Sequence, residues 1–446
     1  MKRLYEPEAY DTSYWPESFW RASVEEVPEH PALEGDREAE VAIIGAGYTG
    51  LGAALELAER YGTEPVLLDA AQPGWGASGR NGGFACIGGS KLPDATVIER
   101  HGLDAAQEFH RFQRAAIDTV ADNLDRYGIE ADTHSEGELC LAHRPGGLAE
   151  LRAEAETARR RYGLATEVLS RPELAERGMG AGTFHGGLIT RAGFALNPMK
   201  YVLGLARAAG AAGVAIHGQS PVTAIRRDGA RWRLETPGGT LRTGRVIVAT
   251  NGYSSEDIPP ALAGVVLPAL SSILVTRPLE PAELQTAGWR SDMMAYDTRR
   301  LLHYFRLMPC GRFLFGTRGG LSAGPGAARQ VRAMARRQFE AIFPGWAHVE
   351  TPWFWSGLVA LTGSLTPVLT AAPGTEGVIL ALGYHGNGVA TGSHAGRVAA
   401  ALAMGEDRRP ALLRAAPRRF PLPRLRRTAL RAAYAAYALR DGPVGA

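Results

Sequence analysis

A short apolar run that stops at a glycine turn constrains this chain more than any other feature in it. Val41, Ala42, Ile43 and Ile44 are followed by Gly45, Gly47 and Gly50 at GxGxxG spacing, which describes a buried parallel strand turning sharply into a helix. The first glycine permits the turn, the second lets backbone approach a pyrophosphate, and the third lets the helix pack on the sheet. Leu51, Leu55 and Ala58 keep helical spacing and Gly62 stands where a helix ends. A second strand, Val66 to Leu68, delivers Asp69, 19 residues beyond Gly50. A carboxylate there accepts a ribose hydroxyl and repels a 2′-phosphate. The helix N-terminus favours a diphosphate. NAD and FAD both present an ADP half to such a motif.

Two further glycine-rich stretches bear on that choice. Gly74 to Gly83 reads GWGASGRNGG and Gly383 to Val389 reads GYHGNGV. With the first stretch, their order along the chain reads as a site for flavin adenine dinucleotide.

At 446 residues the chain exceeds the roughly 250–300 at which one core stops growing, so at least two domains are expected. No apolar run approaches membrane-spanning length and the N-terminus is polar and aromatic rather than a signal peptide; a cytoplasmic protein is expected. Cys86, Cys140 and Cys310 lack metal or disulfide spacing, so neither a bound metal nor a disulfide framework is expected. The net charge of +3 is unevenly spread: from Arg408 onward there are ten arginines against one acid, Asp441. That tail either lies along an acidic face of its own body or of a partner copy, or meets a membrane surface or nucleic acid. No nucleic-acid motif accompanies the charge, so the first alternative, including self-association through the tail, is the expectation.

The pattern of elements describes an α/β chain with a discontinuous, Rossmann-like FAD-binding domain and a second, largely antiparallel-sheet substrate domain. Residues 1–36 read as an irregular arm, with Trp15, Phe19 and Trp20 available to pack. The FAD-binding domain is expected from 37–94, 190–260 and 345–405, the substrate domain from 95–189 and 261–344, and the basic tail from 406–446. Helices are expected over Ala105 to Tyr127, Gly147 to Tyr162, Pro198 to Ala212 and Val389 to Met404. Strands are expected at Glu138 to Ala142, Pro221 to Ile225, Trp232 to Thr236, Val246 to Ala249, Leu270 to Thr276, Leu301 to Leu307, Arg312 to Thr317 and Val378 to Leu382. MPCG, between Leu307 and Arg312, joins two of these in a hairpin.

With these stretches in place, the chain resembles the D-amino-acid-oxidase-like flavoproteins, which include glycine and sarcosine oxidases, and within them the gamma-glutamylputrescine oxidases. The resemblance rests on GASGRNGG (Gly76 to Gly83), Tyr304-x-Arg306-Leu307, Trp355-x-Gly357, the Gly383, Tyr384, Gly386, Gly388, Val389 loop, and a tail with Phe420-Pro421 and Leu439-Arg440-Asp441. It implies an enzyme that oxidises the C–N bond of a small amine or amino acid to an imine, with oxygen or another acceptor taking the electrons. An amine dehydrogenase feeding a quinone or carrier, and a flavin-holding partner protein without turnover, are the alternatives. It also implies that Gly76, Ala77, Ser78, Arg80, Asn81, Gly82 and Gly83 wrap the diphosphate and ring, joined by Gly45, Gly47, Tyr48, Thr49, Gly50, Asp69, Val222 and Thr250. Arg80 either pairs with phosphate or braces the loop. The flavin is expected to be non-covalent, since neither attachment region carries a histidine or cysteine.

Gly386, Gly388 and Val389 open a helix whose amides would face the flavin N1 and C2 carbonyl, where charge gathers on reduction. Tyr304 and Arg306 share one face of a strand, and Arg306 is either a carboxylate clamp or a structural ion pair. His385 and Asn387 depart from GYSGHGV, and Thr317 and Arg318 stand where relatives have a glycine pair; Tyr304, Arg306, His385 and Asn387 are therefore the candidate active-site groups. Of the three lysines, Lys91 and Lys200 are the two that could sit inside.

Overall fold

A computed structural model describes residues 1–180, 182–324 and 326–444. Its frame is two eight-stranded sheets. In the first, Gly35–Ile44 sits between Val66–Leu68 and Gly239–Val248, all parallel, and Val378–Leu382 and Ala215–His217 extend it on either side. Val41, Ala42 and Ile43 have no solvent exposure, as a strand covered on both faces requires. The strand is longer than the apolar run because residues 35–39 pair with Gly239–Thr243; there the exposed acids and arginines ladder across the sheet, as in Arg242–Glu38. Helix Tyr48–Tyr61 follows and ends at Gly62 in the left-handed region, φ 63°, where a side chain would be strained.

The second sheet runs in the order Trp353–Thr362, Val266–Pro278, Arg312–Arg318, His303–Leu307, Met294–Asp297, Glu138–Leu141, Gly186–Thr190, Thr166–Ser170. Every neighbour is antiparallel except Met294–Asp297 with Glu138–Leu141. Successive residues face opposite sides. One face carries Phe305, Phe313 and Phe315, packed on Phe339 of helix Ala327–Ile342 and on Trp289, Phe343 and Trp346. Each fully buried aromatic contributes about 1.5–3 kcal/mol, so this cluster fixes the sheet. The opposite face carries Tyr304, Gly316, Arg318, Tyr296 and Glu138 and is left for the site.

Three expectations need correction. Trp353–Thr362 was placed with the FAD-binding segments, but it pairs with Val266–Val275 over ten positions and forms the edge of the second sheet. The helix expected from Ala105 begins at Asp94, and a break at Gly102, φ 84°, interrupts its 33 residues. The strand expected from Pro221 starts at Ala224 and joins Arg231–Glu235 and Gly239–Val248 in an antiparallel meander.

The N-terminal arm is irregular but not idle. Trp20 is buried, lies edge-on to Trp355, and donates to the Asn81 carbonyl at 2.8 Å. The basic tail ends in helix Arg426–Asp441, which covers Leu267 and Ala269 with Leu430 and Tyr434. Its arginines reach its own chain: Arg426 pairs with Glu256, and Arg427 with Glu6 at 2.7 Å and the Leu4 carbonyl at 2.9 Å.

Candidate functional site

The glycine turn lines a cavity at the C-terminal edge of the parallel sheet, where open α/β sheets bind ligands. Its walls include Gly45, Gly47, Tyr48, Thr49, Asp69, Gly76, Ala77, Ser78, Asn81, Val222, Thr250, Gly386, Gly388 and Val389. Gly45 has φ 107°, and a Cβ on Gly50 would lie 1.8 Å from the Gly45 carbonyl oxygen. Helix and turn can therefore meet only through these glycines. Asp69 accepts from the Ala46 amide at 2.6 Å and the Ala71 amide at 2.8 Å, and burial raises its pKa despite them. Those bonds fix its carboxylate at the cavity wall and leave lone pairs for a hydroxyl donor.

The GASGRNGG segment crosses this cavity on its own hydrogen bonds. Asn81 Nδ2 donates to the Ala77 and Ser78 carbonyls at 3.1 and 3.0 Å, and its Oδ1 accepts from the Gly83 amide. Ser78 Oγ accepts from the Tyr48 amide, and the Tyr48 hydroxyl stands 2.7 Å from the Ser78 carbonyl. Arg80 braces the loop: Nε donates to the Trp75 carbonyl at 2.6 Å and the guanidinium lies 4.2 Å from the Trp75 ring centroid. It lines the second cavity described below, away from the diphosphate turn. Its Nη2 is buried and has no protein partner.

Several amides along these walls also lack a protein partner among the described residues: Gly47, Ala77 and Ser78 around the turn, and Gly388, Val389 and Ala390 at the start of helix Ala390–Ala403. Buried amides are almost always paired. Two clusters of open donors, one beside a helix N-terminus on each side of an elongated cavity, fit a cofactor with a diphosphate in its middle and an acceptor-rich ring at one end. FAD is a cofactor of that shape; bound here, Asp69 would face its ribose, the Gly47 and Ser78 region its diphosphate, and the Val389 amide its ring. Gly82 lines the second cavity, where a Cβ would lie 2.8 Å from the Tyr304 ring, but Gly83, expected beside the flavin, lines neither cavity and packs on the Leu196 carbonyl oxygen, 2.0 Å from where its Cβ would be.

A second cavity, about 280 Å³, opens where Ala77, Asn81, Leu358, Val359, Gly386 and Val389 end the first. The free face of the antiparallel sheet roofs it. Tyr304 lies across Gly316, whose Cβ would sit 2.0 Å from the ring, and its hydroxyl meets Ser271 Oγ at 3.0 Å. Asn387 also lines it, donating to Cys86 Sγ at 3.2 Å and the Ile87 carbonyl at 3.3 Å.

Two of the four candidate active-site groups are not there. Arg306 does share the face of Tyr304, but two residues farther along, so it passes beneath Gly83 instead of entering the cavity. It is 1% exposed, donates to the Leu196 carbonyl at 2.7 Å and to His134 Nε2 at 2.9 Å, and lies over the Trp20 and Phe84 rings. It lines neither cavity and makes no ion pair among the described residues, and burial holds its pKa down at about 9. His385 is buried behind its loop with φ 52°, its Nε2 3.1 Å from Thr362 Oγ1. Burial and the nearby cations Lys91 and Arg318 lower its pKa to about 4, and it lines neither cavity.

The cavity instead gathers groups outside the candidate set: Glu138, Lys91, Arg318, Cys86 and Tyr296. Burial raises the Glu138 carboxyl to about 8 and holds the Cys86 thiol well above its ordinary value, while Lys91 stands at the exposed rim. The signal for Glu138 was available: an acid inside the apolar strand ELCLA, where an ion is costly unless used. Lys91 and Arg318 stood out in the sequence, as one of three lysines and as a departure from the relatives.

Over residues 40–402 the chain matches the family described as DAO, FAD dependent oxidoreductase. It is 34% identical to a probable oxidoreductase OrdL of Rhizobium meliloti, spanning 95% of this chain and 97% of that one. It is 30% identical to the gamma-glutamylputrescine oxidoreductase of Escherichia coli, spanning 95% and 98%. The glycine oxidase of Geobacillus kaustophilus shares the fold at TM-score 0.69 and 20% identity, with 85% of this chain and 98% of that one covered.

Proposed function

The chain belongs to the DAO family of FAD-dependent oxidoreductases, and from that premise we propose that it oxidises the C–N bond of a small amine of the gamma-glutamylputrescine kind to an imine. One observation carries this reading: the cofactor cavity and the charged second cavity share Ala77, Asn81, Leu358, Val359, Gly386 and Val389, so a substrate in one lies against a ring in the other. When bound, the non-covalent flavin supplies a hydride acceptor. The chain supplies the rest. Tyr304 and Leu358 wall the substrate against Gly82 and Gly357, and the free Val389 amide sits ready for negative charge at the far side of the ring. A hydride leaves the carbon only when the amine nitrogen is unprotonated, because its lone pair forms the new C=N bond, so the amine is oxidised from its neutral form. Oxygen is the proposed acceptor.

The test is anaerobic mixing of the FAD-loaded protein with gamma-glutamylputrescine, putrescine, sarcosine and glycine, followed by air. Bleaching of the flavin absorbance by the first, with peroxide release on reoxygenation, is expected. Bleaching without peroxide would assign a different acceptor, and no bleaching by any amine would overturn the reading.

A further inference from the structure

The basic tail has two sides, and its own body answers only one of them. On the inner side Arg426 pairs with Glu256, Arg427 with Glu6, and Asp441 accepts the Arg300 and Leu301 amides at 2.9 Å. Leu430 and Tyr434 are buried there against Leu267 and Ala269. On the outer side Arg418, Arg419, Arg424, Arg431 and Arg440 are exposed, and none of them makes an ion pair or a side-chain hydrogen bond among the described residues. No acid lies between Arg408 and Arg440 to offset them. Apolar groups stand beside these charges. Leu439 is 86% exposed, Leu422 72% and Leu425 55%, and no other leucine among the described residues is as open.

Helical spacing gathers these groups on one surface. At about 3.6 residues per turn, Leu430 and Tyr434 mark the inner line of helix Arg426–Asp441. Thr428, Ala432, Ala435 and Leu439 run down the opposite line, with Arg431 and Arg440 at its two margins. A surface helix ordinarily turns charged and polar residues to water. This one turns alanine and leucine outward and keeps arginine at the edges. Leu422, just ahead of the helix, is held out by its backbone. It sits between Pro421 and Pro423 in the left-handed region, φ 46°, where a branched side chain is costly. Pro423 is meanwhile seated where Gly264 has no side chain, 2.8 Å from where its Cβ would be.

The occupant must offer negative charge at its surface and apolar volume just below. A bilayer containing anionic lipid does both. A second copy fits poorly, since a two-fold contact through this face would set arginine against arginine. Nucleic acid supplies phosphates but leaves the leucines in water. We propose that the outer face of the tail, from Arg418 to Arg440, is a site for an anionic bilayer surface, its arginines taking lipid phosphates while Leu422, Leu425 and Leu439 enter the acyl boundary. At 16 residues the helix is too short to cross and lies along the surface. The site stands apart from the amine reading and does not depend on it.

The experiment is co-sedimentation of the FAD-loaded full chain with vesicles of phosphatidylcholine alone and of phosphatidylcholine mixed with phosphatidylglycerol. Binding to the mixed vesicles should be at least about ten-fold tighter than to the neutral ones and should weaken as salt rises. Each arginine near such a surface contributes about five-fold, so the joint change Arg418→Gln, Arg419→Gln, Arg424→Gln should weaken binding about a hundred-fold. Leu422→Asn with Leu439→Asn should weaken it about ten-fold, and asparagine tolerates the left-handed backbone at 422. Because all five side chains are exposed, melting temperature and bound-flavin absorbance should match the native protein in both variants. Absence of binding to either vesicle, or equal binding to both, overturns the site whatever the variants do. Unchanged vesicle binding in either variant also overturns it. A dimer that the leucine variant dissolves, found in place of vesicle binding, gives the face to a second copy. Tight binding of a DNA duplex that the leucine variant keeps, again in place of vesicle binding, gives it to nucleic acid.

Discussion

Asp69 and Gly316 show how single residues set the two cavities. Asp69→Ala removes the acceptor of the Ala46 and Ala71 amides as well as a ribose partner. FAD should bind about 5- to 150-fold more weakly, about 1–3 kcal/mol, and a fluorescence titration of the apoprotein measures it; unchanged affinity would remove Asp69 from the site. Gly316→Ala places a methyl 2.0 Å from the Tyr304 ring, so the ring must leave the cavity. Overpacking of this kind costs about 1–3 kcal/mol. FAD content should hold while amine-driven bleaching slows about ten-fold or more, and normal bleaching would mean Tyr304 is dispensable. Arg306 is the instructive miss. Period two put it on the right face, but which residue of a face reaches a cavity depends on what lies beneath. Here Gly83, Leu196 and Trp20 pack against it, contributed by segments far apart in sequence. Arg306→Met should therefore lower the melting temperature and leave selectivity between charged and uncharged amines unchanged.

Elements were read from the sequence more faithfully than sites. The strand at Val66–Leu68 and the helices Gly147–Tyr162 and Pro198–Ala211 are where their patterns put them, because each is fixed by local apolar spacing and its caps. Residues 345–405 are expected in the FAD-binding domain, yet Trp353–Thr362 pairs into the second sheet, because strand pairing across some 85 residues leaves no local trace. Helix Ala390–Ala403 packs His394 against helix Asp94–Arg126, its Nδ1 2.8 Å from Thr119 Oγ1 and its ring edge-on to Phe112. Burial and Arg397 lower its pKa to about 4, and His134 and His385 are lowered to about 4 as well, first by burial. The unfolded chain takes up protons at these histidines near pH 6.5 and the folded one does not, so their contribution is complete above that pH and lost as pH falls toward 4. Calorimetric melting from pH 7 to 4.5 should show a steep loss that flattens in His394→Gln. An identical slope would show that other groups govern it.

Across the whole molecule the N-terminal arm and the basic tail are tied together beside the cofactor cavity. Arg427 binds Glu6 and the Leu4 carbonyl, Arg299 donates to the carbonyls of Asp441, Gly442 and Pro443, and Met1, Arg3, Tyr10 and Thr12 line the cofactor cavity. The lopsided charge announced a tail that needed acids. It could not reveal that the acids would be Glu6 and Glu256, since ion-pair partners leave no periodic signal. Removing residues 426–446 should lower the melting temperature and weaken FAD binding together, read by scanning fluorimetry and flavin titration; weaker melting with intact FAD affinity would separate the tail from the arm. The same tie sets a schedule for synthesis. A growing polypeptide holds the glycine turn within its first fifty residues, yet the arm that closes over it is pinned by a helix translated almost four hundred residues later. That helix must therefore be made before the arm can be pinned across the cavity, and a polypeptide stalled short of it should hold its flavin more weakly.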